Sequence, residues 1–141
     1  MHHFSITKKY PFPASHLWEI FSDFGKSTNP SAVIEIEEEG DPDNHGIGAI
    51  RTTLIDKDTF RERLIAYEPG QSLTYQLLSG APVEEYFGTI TIHPIDDSKS
   101  KVTWSIECKP QFPIPGWIIE KNAKKVIKGI LDELYNVLDE S

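Results

Sequence analysis

Phe4, Ile6 and Lys8 alternate with Ser5, Thr7 and Lys9, the period-two pattern of a strand that Pro11 and Pro13 bring to an end near Tyr10. The period then lengthens. Leu17, Ile20, Phe21 and Phe24 fall at i, i+3, i+4 and i+7, which predicts an amphipathic helix from Ala14, with Trp18 beside its apolar stripe and Gly25 as its stop. Residues 26–32, rich in Ser, Thr, Asn and Pro, read as a loop or a short second helix. Alternation returns in Val33-Ile34-Glu35-Ile36-Glu37, and Gly40, Asp41, Pro42, Asp43, Asn44 and Gly46 then form a turn region. Further strands are predicted at 48–55, 59–67, 72–78, 84–93 and 101–109. The turn signals between them, such as Asp56-Lys57-Asp58 and Pro69-Gly70, are short enough to make neighbouring strands antiparallel. After Pro115-Gly116, the residues Ile119, Ala123, Val126, Ile127, Ile130, Leu131, Leu134, Val137 and Leu138 keep helical spacing, so a long helix is predicted over 117–138.

This order, a strand, a helix, about six strands and a long helix, has no repeat, low-complexity tract or linker, so residues 1–141 read as one α+β domain. A helix roughly 30 Å long must bury its apolar stripe, and the large partner on offer is the concave face of a twisted antiparallel sheet that curls around it. Composition narrows the function. A net charge of −8 opposes binding to nucleic acid or to anionic membrane surfaces. A single cysteine, Cys108, excludes an intramolecular disulfide and fits a reducing, cytoplasmic setting. No stretch approaches the ~18 apolar residues of a membrane span, so membrane insertion is not expected. His2 and His3 read as chain terminus. His16, His45 and His93 are scattered and build no metal-ligand spacing, so neither metal nor cofactor is expected. Gly46-Ile47-Gly48 leads into a strand, not a helix, and is read as a turn instead of a dinucleotide cradle. No nucleophile elbow is present, and Cys108 reads as a small packed residue. The acidic runs 35–43 and Asp139-Glu140 read as solvated surface.

Several short motifs then come in a telling order: Pro13-Ala14-Ser15-His16-Leu17-Trp18 ahead of Ser22-Asp23-Phe24-Gly25, Gly46-Ile47-Gly48 ahead of Arg51, Arg61-Glu62-Arg63-Leu64, Pro82 ahead of Glu85-Tyr86, and Val102-Thr103-Trp104. Over nearly the whole chain this resembles the START-like (SRPBCC) helix-grip superfamily, closest to its polyketide cyclase/dehydrase and lipid-transport-like branch, which includes relatives of plant hormone receptors and birch-pollen-type proteins. The resemblance implies a seven-stranded curved antiparallel sheet gripping the C-terminal helix, with an apolar ligand cavity between them. It also implies that Arg51, Glu62 and Tyr86 project into that cavity. Relatives often carry a Trp after the position of Gly25, where this chain has Ser27-Thr28-Asn29-Pro30, a departure at the cavity mouth. The resemblance carries no catalytic motif common to all members.

Strand alternation independently groups Arg51 with Ala49 and Thr53, Glu62 with Phe60 and Leu64, and Tyr86 with Gly88 and Ile90. Two charges thereby share a mostly apolar face, where each needs a partner, and a guanidinium can offer a two-pronged fork to a carboxylate. They are either a polar anchor in a ligand pocket or an ion pair that fixes sheet register. Tyr75 and Trp104, with Leu77 and Ile106, are either aromatic pocket walls or solid core, and Gly88 is expected to leave space beside them. Val126 and Ile130 are expected at the pocket floor, whereas Ile127, Leu131 and Leu138 grip the sheet ends. Ser79-Gly80-Ala81-Pro82 and the Pro-rich segment at 110–115 are rigid turns or cavity gates, with Phe112 and Trp117 as candidate lids or dimer contacts.

Three functions compete on this reading. One is a carrier for a small, largely apolar ligand, with Arg51 and Glu62 orienting its polar end and Tyr86 donating a hydrogen bond. A second is a polyketide cyclase or dehydratase in the same cavity, with Glu62 as acid or base and Arg51 stabilising an enolate. The third is a cavity-poor, co-chaperone-like interaction protein. The expected partner is a small hydrophobic molecule, the expected assembly a monomer or homodimer.

Overall fold

A computed structural model describes residues 1–22, 32–40, 46–55 and 57–140. The elements run β1 (His2–Tyr10), α1 (Ala14–Phe21), β2 (Ala32–Glu38), β3 (Ile50–Ile55), β4 (Asp58–Glu68), β5 (Ser72–Ser79), β6 (Val83–Pro94), β7 (Ser100–Pro110) and α2 (Gly116–Glu140). All seven strands join one antiparallel sheet in the order β1-β7-β6-β5-β4-β3-β2. From β3 to β7 each strand pairs with the one before it, β2 and β1 form the two edges, and β1 pairs with β7 from the opposite end of the chain. The fold is the α+β helix-grip architecture: a curved sheet with a long C-terminal helix.

Burial follows the strand period. Leu73, Tyr75 and Leu77 of β5, Tyr86, Gly88, Ile90 and Ile92 of β6, and Val102, Trp104, Ile106 and Cys108 of β7 all face the interior, while their neighbours face out. Irregularities bend the sheet. Register shifts in β4, between Arg61 and Glu62 and between Leu64 and Ala66, bracket the two inward residues Glu62 and Leu64. Such bulges add local twist and re-aim side chains, which curls the strand toward the helix. Beyond the second bulge the inward phase changes from even to odd positions, so that half-buried Tyr67 meets the ring of Trp18 at 5.3 Å between centroids.

The 25-residue α2 runs alongside β1. His2 Nε2 lies 2.8 Å from Glu120 Oε1, Lys8 Nζ donates to Asp132 at 2.6 Å, and the Tyr10 hydroxyl donates to the Leu131 carbonyl at 2.8 Å. Six strand steps from His2 to Lys8 cover about 20 Å and twelve helix steps from Glu120 to Asp132 about 18 Å, so the two elements keep pace. Ile119, Ile127, Leu131, Leu134 and Leu138 are the buried residues of α2, each adding roughly 1.5–3 kcal/mol of transfer free energy. Ile130 packs against this cluster at its margin. Val126, at the edge of the same stripe, is only half-buried and does not join the cluster.

The predicted elements need few adjustments. β1 begins at His2, which pairs with Cys108 of β7 and is therefore not a loose terminus. β3 begins at Ile50 instead of residue 48, because Gly48 takes a positive φ of 95° and gives its N–H to the Leu64 carbonyl at 2.7 Å. In α1, Leu17 and Phe21 are buried and Ile20 half-buried. The expected helix stop at Gly25, Asp23 and Phe24, the segment 26–31, the turn residues 41–44, His45 and Asp56 lie outside the described residues.

Candidate functional site

Cross-strand register places the polar residues of the concave face next to one another. Arg51 of β3 stands directly opposite Glu62 of β4, and Glu62 opposite Leu77 of β5. A second row runs Leu64, Tyr75, Gly88, Ile106, Phe4 across β4, β5, β6, β7 and β1. Arg51 and Glu62 retain only 13% and 10% of their side-chain exposure, and Arg51 Nε donates to Glu62 Oε1 at 3.1 Å. The same oxygen accepts the buried Thr53 hydroxyl at 3.0 Å. Arg51 and Thr53, two residues apart on β3, converge on one oxygen of the Glu62 carboxylate. A guanidinium and a hydroxyl from β3 thus donate to one carboxylate of β4 inside an apolar surround.

Beside this cluster stand two phenols and an indole. Trp104 Nε1 donates to the Tyr75 hydroxyl at 3.0 Å, and the two rings meet edge to face with centroids 6.3 Å apart. Phe21 of α1 meets the other side of Trp104 in the same manner, also at 6.3 Å. Burial pushes the Tyr75 phenol well above its ordinary value, helped by Tyr86 and Glu62 and opposed by the Trp104 N–H and by Arg51. Burial likewise raises Tyr86, reinforced by Cys108 and Glu62 and partly offset by Tyr75. Both phenols therefore keep their protons at neutral pH.

The structure brings Arg51, Thr53, Glu62, Tyr75, Leu77, Tyr86, Gly88 and Trp104 onto one buried or nearly buried face, with Phe60 half-buried at its edge. On α2, Ile130 packs against the core cluster and Val126 is half-buried outside it. Gly88 does not leave open space: an added Cβ would collide with the Tyr75 ring and hydroxyl, which lie across Gly88 from the paired position on β5. A cross-strand aromatic covering a glycine fills the gap that the glycine opens. Leu64 and Phe21 belong to the same surround but were not among the expected lining residues. Leu64 is readable as the second inward neighbour of Glu62, whereas the contact of Phe21 with Trp104 has no local signature.

Two surface pockets are formed by described residues. One, of about 480 Å³, is lined by Met1, His2, Phe112, Ile114 and Gly116 among others at the junction of β7 and α2. The other, of about 280 Å³, lies on the outer face of the sheet near Thr74, Phe87 and Thr89. Neither opens between α2 and the Arg51–Glu62 pair. Phe112 and Trp117 do not cover the site: they are 96% and 63% exposed. Cys108 is buried, and burial raises its thiol above the usual value. No described helix is long and apolar enough to cross a membrane.

Known proteins share this architecture. A START superfamily protein from Mycobacterium smegmatis superposes with a TM-score of 0.82 at 15% identity, covering 99% of both chains. Norcoclaurine synthase from Thalictrum flavum, solved with dopamine and hydroxybenzaldehyde, gives 0.77 at 17% identity over 99% of this chain and 87% of that one. Ara h 8.0201 gives 0.80 at 17% identity over 99% of each chain. Identities this low speak for the fold alone. No curated protein matches the sequence. The model of the family described as polyketide cyclase / dehydrase and lipid transport matches residues 1–139. With a helix-grip fold throughout and a family match over all but the last two residues, the chain belongs to the polyketide cyclase/dehydrase and lipid transport family.

Proposed function

We propose that the protein binds a small, largely apolar, ring-bearing or acyl ligand between α2 and the concave face of the sheet, with the Arg51–Glu62–Thr53 cluster orienting the ligand's polar end. The observation that carries this reading is the cluster itself: a buried charge pair, on β3 and β4, at the end of a face otherwise built from Leu64, Leu77, Ile90 and Ile106. A few convergent polar groups in an apolar surround are the usual make-up of a small-molecule site. Tyr86, holding its proton, supplies a donor to the same end. The likeness to norcoclaurine synthase, whose structure contains two aromatic molecules, supports a ring-bearing ligand.

Cyclisation or dehydration in the same space would ask Glu62 to move a proton. Its Oε1 is already engaged by Arg51 and Thr53, and the neighbouring phenols are poor proton acceptors, so the arrangement favours holding a ligand over transforming it. The test compares a fluorescent ring-bearing carboxylic acid with its methyl ester. The native protein should prefer one of the two by roughly tenfold, and the folded Arg51→Met/Glu62→Met double variant should lose that preference. A folded double variant that keeps the preference refutes the role of the pair. Native mass spectrometry of the purified protein, read for a small molecule released on denaturation, would identify the ligand class.

A further inference from the structure

We infer that the end of the molecule where β7 passes into α2 docks on an anionic lipid surface. Phe112 is 96% exposed in the connecting segment and Trp117 is 63% exposed in the first turn of α2. Met1, also exposed, lines the same shallow pocket as Phe112 and Gly116. The lysines follow directly. Lys121, Lys124, Lys125 and Lys128 fall with Trp117 within about 100° of arc at 100° per residue, so one flank of the helix carries an aromatic tip and then four ammonium groups.

Ion pairs among the described residues account for only one of these lysines. Lys121 and Lys125, and Lys124 and Lys128, are spaced i, i+4, where like charges repel and weaken a helix. Lys124 pairs with Glu120, which His2 also contacts, but Lys121, Lys125 and Lys128 form no ion pair with any described residue. Nearby Glu84 is already paired with Lys109. The order of charge along α2 also runs against the helix dipole, with no acidic residue in the first turn, no basic one in the last, and Asp139 and Glu140 at the C-terminal end. A self-repelling basic stripe on a chain of net charge −8 finds its complement outside the molecule.

The exposed aromatics choose among anionic partners. Trp and Phe at the edge of a lysine-bearing helical face suit the headgroup boundary of a bilayer, where the rings meet the acyl margin and the ammonium groups meet lipid phosphate and carboxylate. A soluble polyanion would use the lysines and leave the rings wet. A symmetric second copy would cover the rings but bring two like-charged stripes together. The remaining acidic surface is repelled by the same membrane, which fixes the orientation and makes attachment reversible by salt. This inference does not depend on the ligand pocket.

The test is co-sedimentation of the full chain with phosphatidylcholine vesicles and with mixed phosphatidylcholine–phosphatidylserine vesicles at low and physiological salt. Binding to the mixed vesicles alone, weakened by salt, is expected. Joint replacement Lys121→Gln, Lys125→Gln and Lys128→Gln should lower the partition about a hundredfold, roughly fivefold per charge, and Phe112→Ser with Trp117→Ser should lower it without changing the salt dependence. These side chains are solvent-exposed, and a thermal melt of each variant checks that the fold is kept. Should a variant be destabilised, the lipid and salt dependence of the unaltered chain decides. Four results overturn the inference: no sedimentation with mixed vesicles, equal binding to both vesicle types, heparin binding through the lysines without vesicle binding, or a dimer abolished by Phe112→Ser in a chain that ignores vesicles.

Discussion

Replacing Arg51 and Glu62 singly and together by methionine measures what the buried pair contributes. The charges lie 3.1 Å apart at their nearest atoms and are nearly withdrawn from solvent. At an effective dielectric constant of about 20 and about 4 Å between charge centres, their attraction is about 4 kcal/mol, against which stands the cost of desolvating both ions. Removing either partner disrupts a buried polar cluster, and each single variant should lose about 3 kcal/mol. Thr53 also loses its acceptor in Glu62→Met, which places that variant at the upper end. Methionine roughly matches the volume of both side chains, so the double variant should lose clearly less than the sum, by a coupling of about 1–3 kcal/mol. Urea unfolding at neutral pH reads all four corners of the cycle, and each single variant should melt about 10 °C lower. Additive losses within about 0.5 kcal/mol would refute the reasoning, because they would mean that the two groups do not interact.

Gly88→Ala should destabilise by about 2 kcal/mol, since the new methyl displaces the Tyr75 ring and strains its bond from Trp104; in a Tyr75→Val background the same change should cost less, as paired urea titrations would show. Leu134→Ala, at a fully buried position of α2, should lose about 3 kcal/mol, whereas Val126→Ala should lose less than about 1 kcal/mol; equal losses would mean that the helix is rotated from the described packing. Tyr10, Tyr75 and Tyr86 are all raised above the ordinary phenol value of 10.0 by burial. The native state thus holds protons that the unfolded chain releases, so stability is intact below about pH 10 and falls as pH rises further. The urea midpoint should drop across that range, and the phenolate absorbance of these three residues should emerge together with unfolding. A gradual, fully reversible titration of all three in the folded protein would contradict their burial.

What could be read from the sequence was what is periodic over a few residues. Two-residue alternation grouped Arg51 with Thr53, Glu62 with Leu64, and Tyr86 with Gly88 and Ile90, each within its own strand, because successive strand side chains point to opposite sides whatever the strand pairs with, while the family resemblance implied that the three groups face one cavity. Helical spacing likewise marked Ile119, Ala123, Val126, Ile127, Ile130, Leu131, Leu134, Val137 and Leu138 as one apolar stripe, of which Ile119, Ile127, Leu131, Leu134 and Leu138 are buried. Val126 shows the margin of that argument: an apolar residue at the edge of a wide stripe is buried or not according to how the helix is rotated on its sheet. That rotation is set by β1, through Tyr10, Lys8 and His2, more than a hundred residues away. Register had to come from the tertiary structure as well. The bulges that bracket Glu62 and Leu64, the sharing of Glu62 Oε1 by Arg51 and Thr53, and the Tyr75 ring over Gly88 all depend on which residue of one strand faces which of the next. Pairing of β1 with β7 across the chain is of the same kind. Local alternation decides the face that a side chain takes; its neighbour there is decided by contacts between distant segments, which only the folded chain brings together.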